Sequence, residues 1–373
     1  MSNSRHLEFA EKARVTATQK NHIPLAHAKL NGEISITKGM YVLFGGMPGS
    51  GKTAIVDSIF VLEAFDWWLA NRDTVSVKPK WIYRSMERGE EHKRAKWVAY
   101  KMYKDHKILI DVPTILGWPN KLYDMTPRLW EIVRSYAGYF DELFEHMEFI
   151  SGSTNPTGVY KFAKEYMLQR GRIEQVTVHN KKYIPNDPNE IVFHITDHIG
   201  KVKGESGHFG DKQILDKHSS YMADELRDFY NMVPIDITQL NRSIEDTYRG
   251  QKTELDIQPK DFKGTADTYE NADIVIGLIN PYKLGVEKYA NYEIPKFITD
   301  SGYNRFRGLK VIKNSYGIDD FSIGYNFIGE NGMMRELPRA DRMYLNPNDH
   351  TQRLDHYVWA TNLEDNSNRY IQR

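Results

Sequence analysis

The octapeptide Gly46-Met47-Pro48-Gly49-Ser50-Gly51-Lys52-Thr53 fits G-x-x-x-x-G-K-[ST] and sits in the one context that gives the pattern meaning. An apolar run, Tyr41-Val42-Leu43-Phe44, precedes it, and Ala54-Ile55-Val56-Asp57-Ser58-Ile59-Phe60 follows with helical character. Strand, glycine turn and helix N-terminus together make a cradle for phosphate. The glycines let backbone N–H groups turn inward, and the helix start adds partial positive charge. The pattern assigns Gly46, Pro48, Gly49, Ser50, Gly51, Lys52, Thr53 and Ala54 to nucleotide binding. Lys52 is expected to reach the β- and γ-phosphates, and the Thr53 hydroxyl to enter the shell of a Mg2+ ion. The expected ligand is therefore a nucleoside triphosphate, ATP with Mg2+.

Composition narrows the rest. Lys plus Arg and Asp plus Glu each total 50, so the formal charge is zero and any nucleic-acid contact must come from local basic loops. The absence of cysteine excludes disulfides, thiol chemistry and Cys-based zinc sites. The 13 histidines show no H-E-x-x-H spacing. The start of the chain lacks a signal-peptide core, and no apolar run reaches membrane-spanning length. A soluble, cytoplasmic protein without membrane partners is expected.

The chain reads as a mixed N-terminal linker over 1–38 with a helix from Glu8 to Ala17, a body over 39–328 and a polar tail over 329–373. Within the body, Lys80 to Glu87 and Ile191 to Asp197 read as buried strands ending on carboxylates. Further strands are expected over Met147–Ile150, Ile235–Gln239 and Ile274–Leu278. Helices are expected over Gly89–Tyr103 (with Glu90, Glu91, Lys93, Arg94 and Lys96 on the wet side), as a hairpin over Met125–Glu148, over Gly158–Leu168 and over Ser219–Met232. The stretch Gln175–Asn189 reads as a surface insertion. Strand and helix in alternation predict an α/β fold, a mostly parallel twisted sheet with helices on both faces.

Open parallel sheets bind ligands at the carboxyl ends of their strands. There the chain places Glu87, Asp197 and Gln239 beside the phosphate loop. Asp197, behind an apolar run, suits a carboxylate that holds the magnesium ion through water. Glu87 suits the group that polarises the attacking water, and Gln239, with one donor and one acceptor function, suits a γ-phosphate sensor.

The string Thr238-Gln239-Leu240-Asn241-Arg242-Ser243-Ile244-Glu245 resembles the S-Q-L-N-R-x-x-E block of DnaB-type replicative helicases, whose motor is a RecA-like P-loop NTPase domain. Ser85-Met86-Glu87 is similar to that family's S-L-E-M element, Ala272 to Leu278 to its D-A-D-V-V-L-F-L strand, and Lys313-Asn314-Ser315-Tyr316-Gly317 lies where it carries K-x-R-x-G. The blocks run in order from about Ile23 to about Phe327. The resemblance implies a DNA helicase motor that forms a hexameric ring, in which a neighbour's Lys313 reaches the γ-phosphate. The family's arginine finger falls on Ser315, which carries no charge, so that either Arg305 or Arg307 upstream replaces it or hydrolysis is slow. It also implies that the loops after Asp197 and after Gln239 face single-stranded DNA, through Lys201, Lys203, Phe209, Lys212, Arg242, Arg249 and Lys252. A helical N-terminal collar domain is expected to be absent, as in a phage-like member, which leaves a primase or helicase loader as a partner to be bound elsewhere. The alternative reading is a RecA-like ATP-binding assembly protein acting in recombination without unwinding.

Overall fold

The computed structural model describes residues 22–340, except 35, 120, 208–209, 242–243, 245–256, 263–265 and 300, together with positions 6, 7, 10, 11 and 14. Most of the expected N-terminal helix and the chain beyond 340 lie outside the described residues. The strands are β1 (Val42–Gly46), β2 (Lys78–Ser85), β3 (Met147–Ser151), β4 (Gly171–Gln175), β5 (Lys181–Pro185), β6 (Glu190–Asp197) and β7 (Val233–Gln239). They continue with β8 (Ile274–Ile279), β9 (Lys288–Tyr289), β10 (Tyr292–Glu293), β11 (Phe306–Asn314), β12 (Phe321–Ile328) and β13 (Met333–Glu336).

One sheet runs in the order β13-β12-β11-β8-β1-β7-β6-β2-β3. From β8 to β3 every pairing is parallel, whereas β11, β12 and β13 add on antiparallel. The chain is thus an α/β protein built on a mostly parallel sheet. The central strands are buried along nearly their whole length because helices cover both faces, which is why they read as largely apolar runs. Phe44, Trp81, Tyr83, Phe193 and Ile237 join the core under the helices that follow β1 and β2. Leu43, Ile82, Val192 and Val275 pack on the other face with Val159, Tyr166, Ile214 and Leu226. Behind the phosphate loop the helix Lys52–Asp57 widens to a π-turn at Ser58–Leu62 and resumes as Glu63–Asn71. The fully buried Trp81 donates its indole N–H to the Phe60 carbonyl in that turn, at 2.7 Å.

Several expectations need correction. Lys93, assigned to the wet side of its helix, is buried, and the helix runs Glu90–His106. The surface insertion is a β-hairpin, β4 with β5, that begins at Gly171 and is pinned by Tyr183, whose hydroxyl donates to the Met167 carbonyl at 2.8 Å. The helix expected from Ser219 begins at Asp211 and continues through Tyr221–Phe229. The antiparallel strands β11 to β13 add to the expected set, and β13 lies beyond the boundary at 328, paired with β12. Residues ahead of β1 are not merely a linker, because Ile23, Leu25, Leu30 and Ile34 are buried in the sheet's core. Glu336 of β13 accepts the N–H groups of Lys29 and Leu30, capping the short helix Ala28–Glu33 onto the sheet.

Candidate active site

The phosphate loop leaves β1 at Gly46 and is held by both neighbouring strands. Leu240 N–H, just past β7, donates to the Gly46 carbonyl at 3.1 Å, and Met47 N–H donates to Leu278 of β8 at 3.2 Å. Gly49 and Gly51 have φ of 72° and 94°, a left-handed region that side chains disfavour. At Gly46 the objection is space, since a Cβ would stand 2.8 Å from Ser50 Oγ and 2.9 Å from Lys52 Cβ. Pro48 and Gly49 form the exposed tip, while Ser50, Lys52 and Ala54 are buried.

The residues present fit a triphosphate. Ser50 Oγ is buried with no hydrogen-bond partner among the described residues, and the loop is closed to side chains at its glycines. Burial lowers the Lys52 pKa, and the Glu87 and Asp197 carboxylates oppose that shift. Thr53 donates its hydroxyl to Asp197 Oδ1 at 3.0 Å, so the two magnesium candidates, one after β1 and one ending β6, meet. No group of three or more His, Cys, Asp or Glu able to hold a metal occurs among the described residues. A Mg2+ ion would thus rely on Thr53, on Asp197 behind it, and on phosphate and water oxygens, which is how this cation usually binds.

Asp197 is itself held from behind. Lys93 Nζ lies 3.0 Å from its Oδ2 and 3.1 Å from Asp57 Oδ2. Asp57 also accepts from Tyr83 at 2.6 Å and from the Trp97 indole at 3.0 Å. Burial alone would raise the Asp197 pKa, but the ammonium of Lys93 outweighs it and leaves the carboxyl below its ordinary value. Conversely, burial would lower Lys93, and Asp57 and Asp197 reverse the shift and raise it. Asp197 is therefore ionised and aimed.

Glu87 follows β2, whose last residue, Ser85, pairs with Asp197. Its Oε1 stands 3.0 Å from Nε2 of the buried His198, although the ring N–H is not aligned for a hydrogen bond. His198 Nδ1 accepts from Gly200 N–H at 3.1 Å, which places the ring proton on Nε2, facing Glu87. Burial lowers the His198 pKa against the opposing pull of Glu87. Gln239 ends β7 directly opposite Gly46 of β1. The fold therefore gathers Lys52, Thr53, Glu87, Asp197 and Gln239 along one rim, at the carboxyl ends of β1, β2, β6 and β7.

Other expected site residues fall elsewhere. Lys313 sits on β11 opposite Val275, near the start of β8, and donates to the carbonyls of Tyr269 and Glu270 at 3.2 and 2.8 Å. Within one chain it is at the far rim from the phosphate loop. Arg307 does not face outward as a finger. It is buried and donates from Nε to the Ser50 carbonyl of its own phosphate loop at 3.1 Å. Lys201 and Lys203 are exposed after β6. Lys212, expected in a loop, lies on the helix Asp211–Ser220, 3.3 Å from Asp216. Phe209, Arg242, Arg249 and Lys252 lie outside the described residues.

Sequence reasoning misses Lys93, Asp57, His198 and Lys283 as site residues. A signal for Lys93 exists: positions 93, 97 and 100 share a helical face with two aromatic residues, Trp97 and Tyr100. Nothing local marks Lys283, whose ammonium comes within 3.1 Å of the point where Gly49 would carry a Cβ.

No protein-family model and no curated protein matches the sequence. Among solved structures, the chain is similar to one of an ATPase domain by itself, at 14% identity and a TM-score of 0.62, covering 91% of this chain and 100% of that one. It is also similar to a DnaB-like replicative helicase described together with its interactions with primase, at 13% identity and a TM-score of 0.64, covering 91% of this chain and 69% of that one. The chain therefore has the RecA-like P-loop NTPase fold of the ATPase domains of DnaB-type helicases.

Proposed function

We propose that the chain is the ATP-hydrolysing motor of a ring-forming DNA helicase, hexameric in its working state and translocating on single-stranded DNA. The observation that carries this reading is the convergence of Glu87, Asp197 and Gln239 on the rim that holds Lys52 and Thr53. Lys52 binds the outer phosphates. A magnesium ion at Thr53 would supply charge neutralisation there, and Asp197, kept ionised by Lys93, orients the Thr53 hydroxyl. Glu87 accepts the proton of the attacking water, with His198 limiting where its carboxylate can point. Gln239, tied in register to Gly46, relays the state of the terminal phosphate to the segment that follows β7.

The far-rim position of Lys313 supports a site completed between subunits, because a neighbour's lysine can reach where its own chain's cannot. The exposed lysines after β6, Lys201 and Lys203, are the DNA contacts of this proposal, repeated around the ring. A primase contact is extended to this chain from the helicase it is similar to, and a loader contact from the resemblance of its sequence blocks.

The test is the ATPase rate with and without single-stranded DNA, paired with strand displacement on a forked duplex. DNA-stimulated hydrolysis with unwinding is expected. Stimulated hydrolysis without unwinding would instead favour the RecA-like assembly protein, a reading that the uncharged Ser315 supports. Hydrolysis indifferent to DNA in a monomeric protein would end both.

A further inference from the structure

Strand β11 runs antiparallel to β8, so its two ends serve opposite rims of the sheet. Lys313 stands at one end. Arg307 stands six positions away, roughly 20 Å at about 3.3 Å per residue, beside the phosphate loop. There its guanidinium donates to the carbonyls of Ser50, Asn304 and Phe306 at 3.1, 3.0 and 2.6 Å, and lies 4.9 Å from the Phe327 ring centroid. No carboxylate pairs with it among the described residues. A buried cation without an anion is costly, and removal from water pulls its pKa down to about 10. The environment lacks a negative charge that a polyphosphate in the adjacent loop would provide.

A second cation approaches the same loop from β8. The turn Pro281–Leu284 carries Lys283, exposed and without an ion pair among the described residues, with its ammonium over Gly49. Both cations belong to the same chain as the loop. Lys283 is not a position at which the resemblance placed a cation, and Arg307, one of the two replacements it left for a neighbour's finger, instead serves the loop of its own chain.

We infer that Lys283 and Arg307 are in-cis cations of the phosphate site, with Lys283 contacting an outer oxygen of the nucleotide's terminal phosphate and Arg307 acting as a positioning residue that holds the Ser50 carbonyl. This rests on the nucleotide reading above. The charge that Ser315 cannot deliver from a neighbour is then delivered by the loop's own subunit. Lys283 discriminates triphosphate from diphosphate. Arg307 fixes the loop for both.

Calorimetric titration of the full chain with Mg-ATP and with Mg-ADP tests this. Lys283→Ala is expected to weaken Mg-ATP roughly tenfold and Mg-ADP less than about twofold, the loss of one charge-assisted contact. Arg307→Gln is expected to weaken both nucleotides similarly, and Arg307→Lys to restore part of the loss. Lys283 is exposed, so its variant reports even if Arg307→Gln fails to fold. A mixing experiment separates cis from trans: subunits with Arg307→Gln are combined with subunits carrying Lys52→Ala. No recovery of hydrolysis is expected, whereas recovery would show that Arg307 acts across the interface and overturn the inference. An unchanged ATP-to-ADP affinity ratio in Lys283→Ala, with normal wild-type binding, overturns it alone. A wild-type chain that binds no Mg-ATP would overturn the nucleotide reading and this inference together.

Discussion

Lys93 Nζ stands 3.0 Å from Asp197 Oδ2, and both side chains are buried beneath the phosphate loop. Asp197 is thus oriented from within the core, by a helix that follows a different strand. Asp57, on the phosphate-loop helix itself, shares the same ammonium.

Removing that ammonium should leave two buried carboxylates facing each other. Lys93→Met is expected to destabilise the protein by about 3–5 kcal/mol, the cost of breaking a buried pair from one side. Adding Asp57→Leu should recover part of that loss, since it removes one of the stranded charges. Urea unfolding of the single and double variants checks this. A double variant less stable than Lys93→Met would show that the network is not what couples them.

Glu87→Gln should retain Mg-ATP affinity while lowering the hydrolysis rate by about 10²–10⁴-fold, the usual contribution of a positioned general base. The side chain is partly exposed at the rim, so stability should change little. Equal losses in binding and turnover would assign Glu87 to ground-state binding instead.

Lys313→Ala should leave Mg-ATP binding by isolated subunits intact, because this lysine sits at the far rim of its own sheet. In the assembled form, the hydrolysis rate should fall by at least about tenfold. An unaffected rate in assembled protein would count against a site shared between neighbours.

Acidification should destabilise the fold through two buried histidines. Burial lowers the pKa of His27 to about 4 and that of His194 to about 3. Both stay neutral in the folded chain while the unfolded chain takes up protons below its ordinary pKa of about 6.5. Stability is therefore full above that value and falls with pH below it, by up to about 1.4 kcal/mol per pH unit for each residue. The fall should continue until the folded pKa of each histidine is reached. Denaturant midpoints compared at about pH 7 and about pH 5 should show the loss. His194→Leu should flatten the slope, as neither ring nitrogen of His194 has a partner to lose. An unchanged slope would place the acid sensitivity elsewhere.

The sequence by itself determined the phosphate loop, the parallel strands that flank it and the polar residues at their carboxyl ends. Those features are local: a glycine pattern that only certain backbones satisfy, and apolar runs that end on Glu87, Asp197 and Gln239. Lys93 escapes such a reading because a lysine on a charged helix normally faces water, and only the approach of Asp57 and Asp197 from other elements makes its burial tolerable. The start of the helix at Asp211 is hidden because the glycines and lysines before it read as loop throughout. The tertiary structure alone decided the far side of the sheet. Strands β11 to β13 alternate polar and apolar residues only weakly, and their antiparallel addition beside β8 is a long-range choice that no short window encodes. That choice sets Arg307 against the phosphate loop and sends Lys313 to the opposite rim, because strand direction fixes which end of a sheet each residue meets.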